Sequence, residues 1–123
     1  MNIFLWILAG VLAAAFLMAG AMKAAQPKAM LAENMPWVED FSDSQVRAIG
    51  LVEILGALGL ILPAATGIAV VLTPLAAAGL ALTMVGAAVV HARRKEFPNI
   101  AVNVVLGGLA LLVAILRFGS YSF

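Results

Sequence analysis

The chain has 123 residues, of which 65% are hydrophobic and 11% charged, and its formal net charge is +1. Soluble domains are about 45–50% apolar and about 25% charged, so many of these apolar side chains must face lipid rather than a protein core. The small net charge does not indicate nucleic-acid binding, and the absence of cysteine excludes disulfides, thiolate metal sites and thiol redox chemistry.

The chain begins with an uncharged apolar run at residues 3–22. As an α-helix, a run of this length crosses about 30 Å at roughly 1.5 Å per residue, which matches the hydrocarbon core of a bilayer. No Lys or Arg precedes the run, and it is longer than the apolar segment of about 7–15 residues in a signal peptide. We therefore predict a membrane span rather than a cleaved leader.

The connector that follows, residues 23–46, is the most polar stretch of the chain. Trp37 in this connector is typical of the lipid headgroup level, where amphipathic rings are favoured. Ser42 with Gln45 has the spacing of a capping box and predicts the start of the next helix. We expect the connector to lie over one end of the molecule as a lid.

Three further apolar runs complete the pattern. The second run is predicted to end at Pro63, because proline interrupts helical hydrogen bonding, and a tight turn at Ala64–Gly67 follows it. Pro74 lies about one turn into the third run and predicts a bend or a late helix start there. The predicted spans of a single transmembrane domain are residues 3–22, 46–63, 68–91 and 99–117.

Backbone polar groups must be satisfied internally in lipid, so these runs form either helices or a closed barrel. The runs are about twice the length of a barrel strand and do not alternate in polarity. The predicted fold is an all-α, four-helix membrane bundle with a cytoplasmic lid loop between helices 1 and 2. The recurring glycines and alanines are interpreted as helix-packing positions.

The basic residues predict the orientation of the spans. With four spans, the first and third connectors lie on the same side, and cytoplasmic loops carry the excess of Lys and Arg. The residues on that side are Lys23, Lys28, Arg47, Arg93, Arg94 and Lys95, against Arg117 alone on the other. We predict a multi-pass protein of the bacterial inner membrane with both termini outside, in contact with lipid and not with nucleic acid.

Glu53 is the one acidic residue inside a predicted span. A charged side chain at the centre of a span costs about 2.5–3.5 kcal/mol, so this carboxyl group should face the bundle interior, either paired or protonated. Lys23, His91 and Asn103 lie at the same end of the other three helices. The plainer interpretations are that Lys23 extends to the surface, that His91 is tolerated at a helix end, and that Asn103 bonds a neighbouring helix.

Three motifs stand out along the chain: Pro36-Trp37, the Gly-x-x-Glu-x-x-Gly block around Glu53, and His91-Ala92-Arg93-Arg94. With these motifs the sequence resembles, over almost the whole chain, the DoxX-like family of small membrane proteins. The resemblance implies a four-helix membrane bundle and marks Glu53, His91 and Lys23 as the matching polar positions. The family name comes from a subunit of a thiosulfate:quinone oxidoreductase, and wider relatives include redox-homeostasis proteins and a receptor-assembly chaperone.

Three functions are compatible with these features, and the sequence leaves open whether the protein is an enzyme. The first is a redox-linked subunit that binds a quinone or another lipophilic molecule, with Glu53 and His91 as catalytic residues and Lys23, Trp37 and Asn103 as binding residues. The second is a non-catalytic factor that assembles with a membrane-protein partner, with a homo-oligomer also open. The third, a small transporter, is disfavoured because the opposite end offers no matching polar group. A lone His and Glu lack a third strong ligand, so no metal site is predicted.

Overall fold

The computed structural model describes residues 2–26, 35–119 and 121. Lys28 and the rest of the connector at 27–34 lie outside these residues. Within the described ranges the α-helices are α1 (Asn2–Ala25), α2 (Asp43–Thr66), α3 (Leu72–Arg93) and α4 (Phe97–Phe118), with a short 3₁₀ helix at Pro36–Asp40. All four α-helices are long and apolar enough to cross a membrane, which confirms the predicted all-α bundle of four spans.

The helices run alternately up and down, and each packs against the next in the chain, while α4 returns to contact α1. The closely packed interior includes Leu5, Leu12, Phe16, Leu60, Leu80 and Val113. Large apolar side chains also cover the outside of the bundle, and examples are Ile3, Ile7, Leu55, Leu82 and Val104. An apolar exterior of this kind suits lipid as the surrounding solvent.

Two local predictions about α2 have different outcomes. At its start, the Ser42 hydroxyl accepts from the Gln45 amide and the Gln45 side chain accepts from the Ser42 amide, so the capping box is confirmed. The prediction that the helix ends at Pro63 is wrong, because α2 continues to Thr66. Proline at this position leaves the Gly59 carbonyl without its helical donor, and the buried Thr73 hydroxyl donates to that carbonyl at 3.0 Å.

The turn between α2 and α3 lies further along the chain than predicted. Gly67 ends α2 in the left-handed conformation, with φ of 73°, and its amide donates to the Pro63 carbonyl. Glycine adopts this conformation at low cost, which makes it a common helix terminator. The chain then enters α3 only at Leu72, so the predicted start at Ile68 is wrong and the late start indicated by Pro74 is confirmed.

A close crossing of α1 and α2 fixes one end of the bundle. A Cβ atom added to Gly20 would lie 2.6 Å from the Gly50 carbonyl oxygen, and one added to Gly50 would lie 2.6 Å from the Gly20 oxygen. Only residues without a side chain allow two helix backbones to approach this closely. Because the two helices are antiparallel, Lys23 of α1 and Glu53 of α2 lie on opposite sides of this crossing, and the long Lys23 side chain spans it to reach Glu53.

The described part of the connector between α1 and α2 folds onto the bundle. Val38 is completely buried and packs with Val46 at the start of α2, beside the half-buried Trp37 and Phe41. This small apolar cluster holds the 3₁₀ helix over the bundle end, as expected for a segment that covers it.

Candidate functional site

A cavity of about 290 Å³ lies at the end of the bundle where α1 and α3 finish and α2 and α4 begin. We call this the polar end. All five residues selected from the sequence line the cavity: Lys23, Trp37, Glu53, His91 and Asn103. The other lining residues are largely apolar: Phe41, Ile49, Thr83, Met84, Gly86, Ala87 and Val90.

Lys23 and Glu53 form an ion pair across the α1–α2 crossing. The Lys23 Nζ atom donates to Glu53 Oε1 at 2.5 Å, and Glu53 is only 1% exposed. The predicted interior, paired position of Glu53 is therefore confirmed. The interpretation that Lys23 simply extends to the membrane surface is wrong, because the Gly20–Gly50 approach places a buried carboxylate within its reach.

Trp37 covers the cavity rather than serving only as a headgroup anchor. The Lys23 ammonium lies 5.4 Å from the centre of the Trp37 ring, a cation–π distance. The same ring meets His91 edge-to-face at 6.4 Å and Phe41 at 5.6 Å between ring centres. These contacts join the 3₁₀ segment to α1 and α3, so Trp37 closes the cavity from the side of the connector.

His91 is held in place by a residue that the sequence analysis did not select. Its Nδ1 atom lies 2.9 Å from Glu96 Oε1, and the Arg94 Nε atom donates to Glu96 Oε2 at 3.4 Å. The hydrogen bond with His91 lowers the pKa of Glu96 below its ordinary value; burial opposes this shift, and Arg94 adds to it. The sequence did contain a signal for Glu96: it is an acidic residue in an otherwise basic connector, five positions after His91 and just beyond the end of the helix.

Asn103 is the buried polar residue whose hydrogen bonding is incomplete. Its Nδ2 group donates to the Met84 sulfur at 3.7 Å, so the predicted bond to a neighbouring helix is confirmed. Its Oδ1 atom is buried and has no hydrogen-bond partner among the described residues. Leaving a buried acceptor unpaired costs about 1–3 kcal/mol, so such an atom in a cavity wall indicates a site for a donor.

The cavity has both buried and partly exposed walls. Of its lining residues, Gly86 on α3 is exposed, and Ile49 on α2 and Val90 on α3 are half-buried. By contrast, the wall formed by Glu53 and Asn103 is buried. Part of the cavity wall therefore extends to the exterior of the bundle.

Within the part of the chain that the structure describes, no three His, Cys, Asp or Glu side chains come together as a metal site. Hydrogen-bonding groups converge in the cavity instead: a carboxylate, an ammonium, an imidazole and a carboxamide, surrounded by aromatic and aliphatic side chains. Apolar walls with a few convergent polar groups are typical of small-molecule pockets in proteins.

Comparison with known proteins identifies the family of the chain. No curated protein and no solved structure matches it. The family model described as the DoxX-like family matches residues 7–114, which include all four helices for most of their length and every cavity-lining residue. The resemblance seen in the sequence is thereby confirmed, and the chain belongs to the DoxX-like family of membrane proteins.

Proposed function

We propose that this DoxX-like protein binds a lipophilic small molecule, of the quinone type, in the cavity at the polar end. The observation that carries the proposal is the buried Asn103 Oδ1 atom, which has no partner among the described residues, in the wall of a cavity of about 290 Å³. Binding pockets begin at about 300 Å³, so the space suits a single ring with a tail outside it. A tail outside the cavity would lie among the apolar side chains that cover the bundle.

The cavity residues have distinct proposed roles. Glu53 and His91 would hydrogen-bond the oxygen atoms of the ring and exchange protons with them, since carboxylate and imidazole groups act as acids and bases in enzymes. Lys23 would keep Glu53 in place and Trp37 would stack against or cap the ring. Glu96 would orient His91 through Nδ1, leaving Nε2 for the ligand. Electrons, if the bound ring is reduced or oxidised, would come from a redox partner.

Tryptophan fluorescence provides a direct test. The chain has two tryptophans, Trp6 and Trp37, so the Trp6→Phe variant reports on Trp37 alone. Adding a decyl-tailed benzoquinone to this variant in nanodiscs should quench the fluorescence with saturation, whereas Trp37→Phe, which keeps Trp6, should show only unsaturated quenching. Unsaturated quenching in both variants would refute the proposal.

A matched pair of carboxylate variants tests the role of Glu53. With the tritium-labelled hydroquinone form of this ligand, whose hydroxyl can donate to the carboxylate, Glu53→Gln should weaken saturable binding about tenfold, the value of one charge-assisted hydrogen bond of roughly 1.5 kcal/mol. Asp43→Asn is the same chemical change on the same helix, but Asp43 is exposed and outside the cavity. Equal effects of the two changes would exclude a ligand contact by Glu53.

We further propose that the polar end faces the cytoplasm of a bacterial inner membrane, because the basic residues concentrate there. The cysteine-free chain makes this measurable. Ser44→Cys at the polar end and Ala65→Cys at the opposite end both introduce a thiol at an exposed position. In intact cells with a permeable outer membrane, an impermeant maleimide should label only Ala65→Cys, and labelling of only Ser44→Cys would reverse the orientation.

The second candidate function is assembly with another membrane protein. It is favoured by glycines that have no neighbouring atoms where a side chain would lie. A Cβ atom on Gly79 or Gly108 would meet nothing within 4 Å, so packing inside this bundle does not account for them, and small residues suit contact with another helix. Gly79→Leu and Gly108→Leu should then abolish co-purification of a partner under mild extraction. A wild-type protein that purifies without any partner would count against this function.

A further inference from the structure

The atoms that face the cavity differ in whether they donate or accept hydrogen bonds, and this difference bears on the oxidation state of the ligand. A quinone ring carries two carbonyl oxygens, which only accept, whereas the corresponding hydroquinone carries two hydroxyl groups, which donate as well. A cavity whose wall contains a buried acceptor without a donor therefore favours the hydroquinone. The following inference rests on the proposed function and deepens it.

Three acceptors at the cavity have no competing donor among the described residues. Asn103 Oδ1 is buried and unpartnered. Glu53 uses Oε1 for Lys23, which leaves Oε2 without a described hydrogen bond. The Thr83 hydroxyl donates its one hydrogen to the Gly79 carbonyl at 2.9 Å. Its oxygen can therefore take part in a further hydrogen bond only as an acceptor.

His91 adds a fourth acceptor in its neutral form. Its Nδ1 atom lies 2.9 Å from a carboxylate oxygen of Glu96, which accepts a proton in a hydrogen bond and does not donate one. The hydrogen of the neutral ring therefore resides on Nδ1, and Nε2 carries the lone pair.

The donors at the cavity are partly engaged, and a hydroxyl, which accepts as well as donates, can still pair with the N–H groups that remain. The Lys23 ammonium already donates to Glu53 and lies against the Trp37 ring. Asn103 directs its Nδ2 group to the Met84 sulfur. The remaining hydrogens of the Lys23 ammonium, the second hydrogen of Asn103 Nδ2 and the Trp37 indole N–H are further donors. A ring with two carbonyls would leave Asn103 Oδ1 unsatisfied and would face the Glu53 carboxylate with further lone pairs, while a ring with two hydroxyls satisfies both.

We propose that the cavity binds the hydroxyl-bearing, reduced form of a ring ligand in preference to the carbonyl-bearing, oxidised form. The discriminating atoms are Asn103 Oδ1, on α4, and Glu53 Oε2, on α2, both of which belong to residues that line the cavity. A site built to accept hydrogen bonds rejects a ligand that lacks the donors, because its buried acceptors then remain unpaired.

The test compares one ligand in two oxidation states. Tritium-labelled decyl-tailed benzoquinone and its hydroquinone are equilibrated under argon with the full chain in nanodiscs, with empty nanodiscs as the blank. The hydroquinone should bind about tenfold more tightly, the effect expected from satisfying one buried acceptor. Equal affinity, or tighter binding of the benzoquinone, overturns the inference while the proposed function stands. Saturable binding of neither form refutes both.

Matched variants assign the preference to its atoms. Asn103→Leu removes the acceptor at similar volume and should reduce the hydroquinone preference to about twofold or less, since one paired acceptor accounts for most of it. Asn99→Leu makes the same change at an exposed position one turn earlier on α4 and should leave the preference intact. Thr83→Val, an independent removal of an acceptor, should also lower it. A preference that survives both Asn103→Leu and Thr83→Val overturns the assignment.

Discussion

The two ends of the bundle both contain buried polar side chains, and they differ in how those side chains are satisfied. Opposite the cavity, the buried Arg117 donates to Asn2 Oδ1 at 2.6 Å and to the Tyr121 carbonyl at 2.9 Å, and Thr73 donates to Gly59. At the polar end, Asn103 keeps an unpartnered acceptor beside an open cavity. The buried polar groups opposite the cavity thus stabilise the fold through hydrogen bonds within the protein, whereas Asn103 at the polar end keeps an acceptor that can bind another molecule.

The comparison also explains why buried charge alone does not identify a site. Arg117 is 4% exposed and Glu53 is 1% exposed, so both are buried charged residues in an apolar protein. Arg117 joins the two terminal segments of the chain and does not line the cavity at the polar end. The cavity and the unsatisfied acceptor, rather than the charge, distinguish the polar end.

The largest expected effect concerns the Lys23–Glu53 pair. Lys23→Met should lower the free energy of unfolding by about 3–5 kcal/mol, because it leaves a buried carboxylate without its counter-charge. Detergent titration followed by circular dichroism measures this. Lys95→Met, the same change at an exposed lysine of the same end, should alter stability by less than about 0.5 kcal/mol. Equal losses in the two variants would mean that the ion pair does not stabilise the polar end.

The next largest effect concerns the helix crossing that positions this pair. Gly20→Ala should destabilise the protein by about 1–3 kcal/mol, since the new Cβ would lie 2.6 Å from a backbone oxygen that cannot easily move. Gly10→Ala on the same helix meets nothing within 4 Å. It should be neutral or slightly stabilising, because alanine favours helix more than glycine does. A Gly20→Ala protein as stable as Gly10→Ala would contradict the close crossing.

A pair of asparagine variants tests the difference between the two ends directly. Asn103→Leu should stabilise the protein by up to about 1 kcal/mol, because it removes an unpaired buried acceptor at little cost in volume. Asn2→Leu should instead destabilise it by about 1 kcal/mol, because Arg117 loses an acceptor. Thermal unfolding in one detergent compares the two. Destabilisation by both would show that Asn103 is a structural residue like Asn2.

The smallest effect is a pH dependence at the Glu96–His91 contact. The pKa of Glu96 is lowered in the folded protein, chiefly by the hydrogen bond with His91. The contact therefore stabilises the protein fully above the ordinary glutamate pKa of about 4.3, and the contribution is lost as the pH falls through the lower folded value. Unfolding midpoints between about pH 6 and 3 should fall less for Glu96→Gln than for wild type. Parallel curves would exclude the contribution.

The sequence by itself determined the four spans, since crossing a bilayer depends on the local length and polarity of each run. It also determined that Lys23, Glu53, His91 and Asn103 belong to one end, because alternating spans fix which helix ends meet. The capping box at Ser42 was readable because its two partners lie three residues apart.

Contacts between distant parts of the chain were decided only by the tertiary structure. The continuation of α2 through Pro63 depends on a hydroxyl from α3, and the Lys23–Glu53 pair depends on a backbone approach of α1 to α2 at two glycines. The unpaired state of Asn103 Oδ1 depends on every neighbour in the bundle at once. Helix formation is a property of neighbouring residues, but the pairing of polar groups depends on how the helices meet, which no single segment encodes.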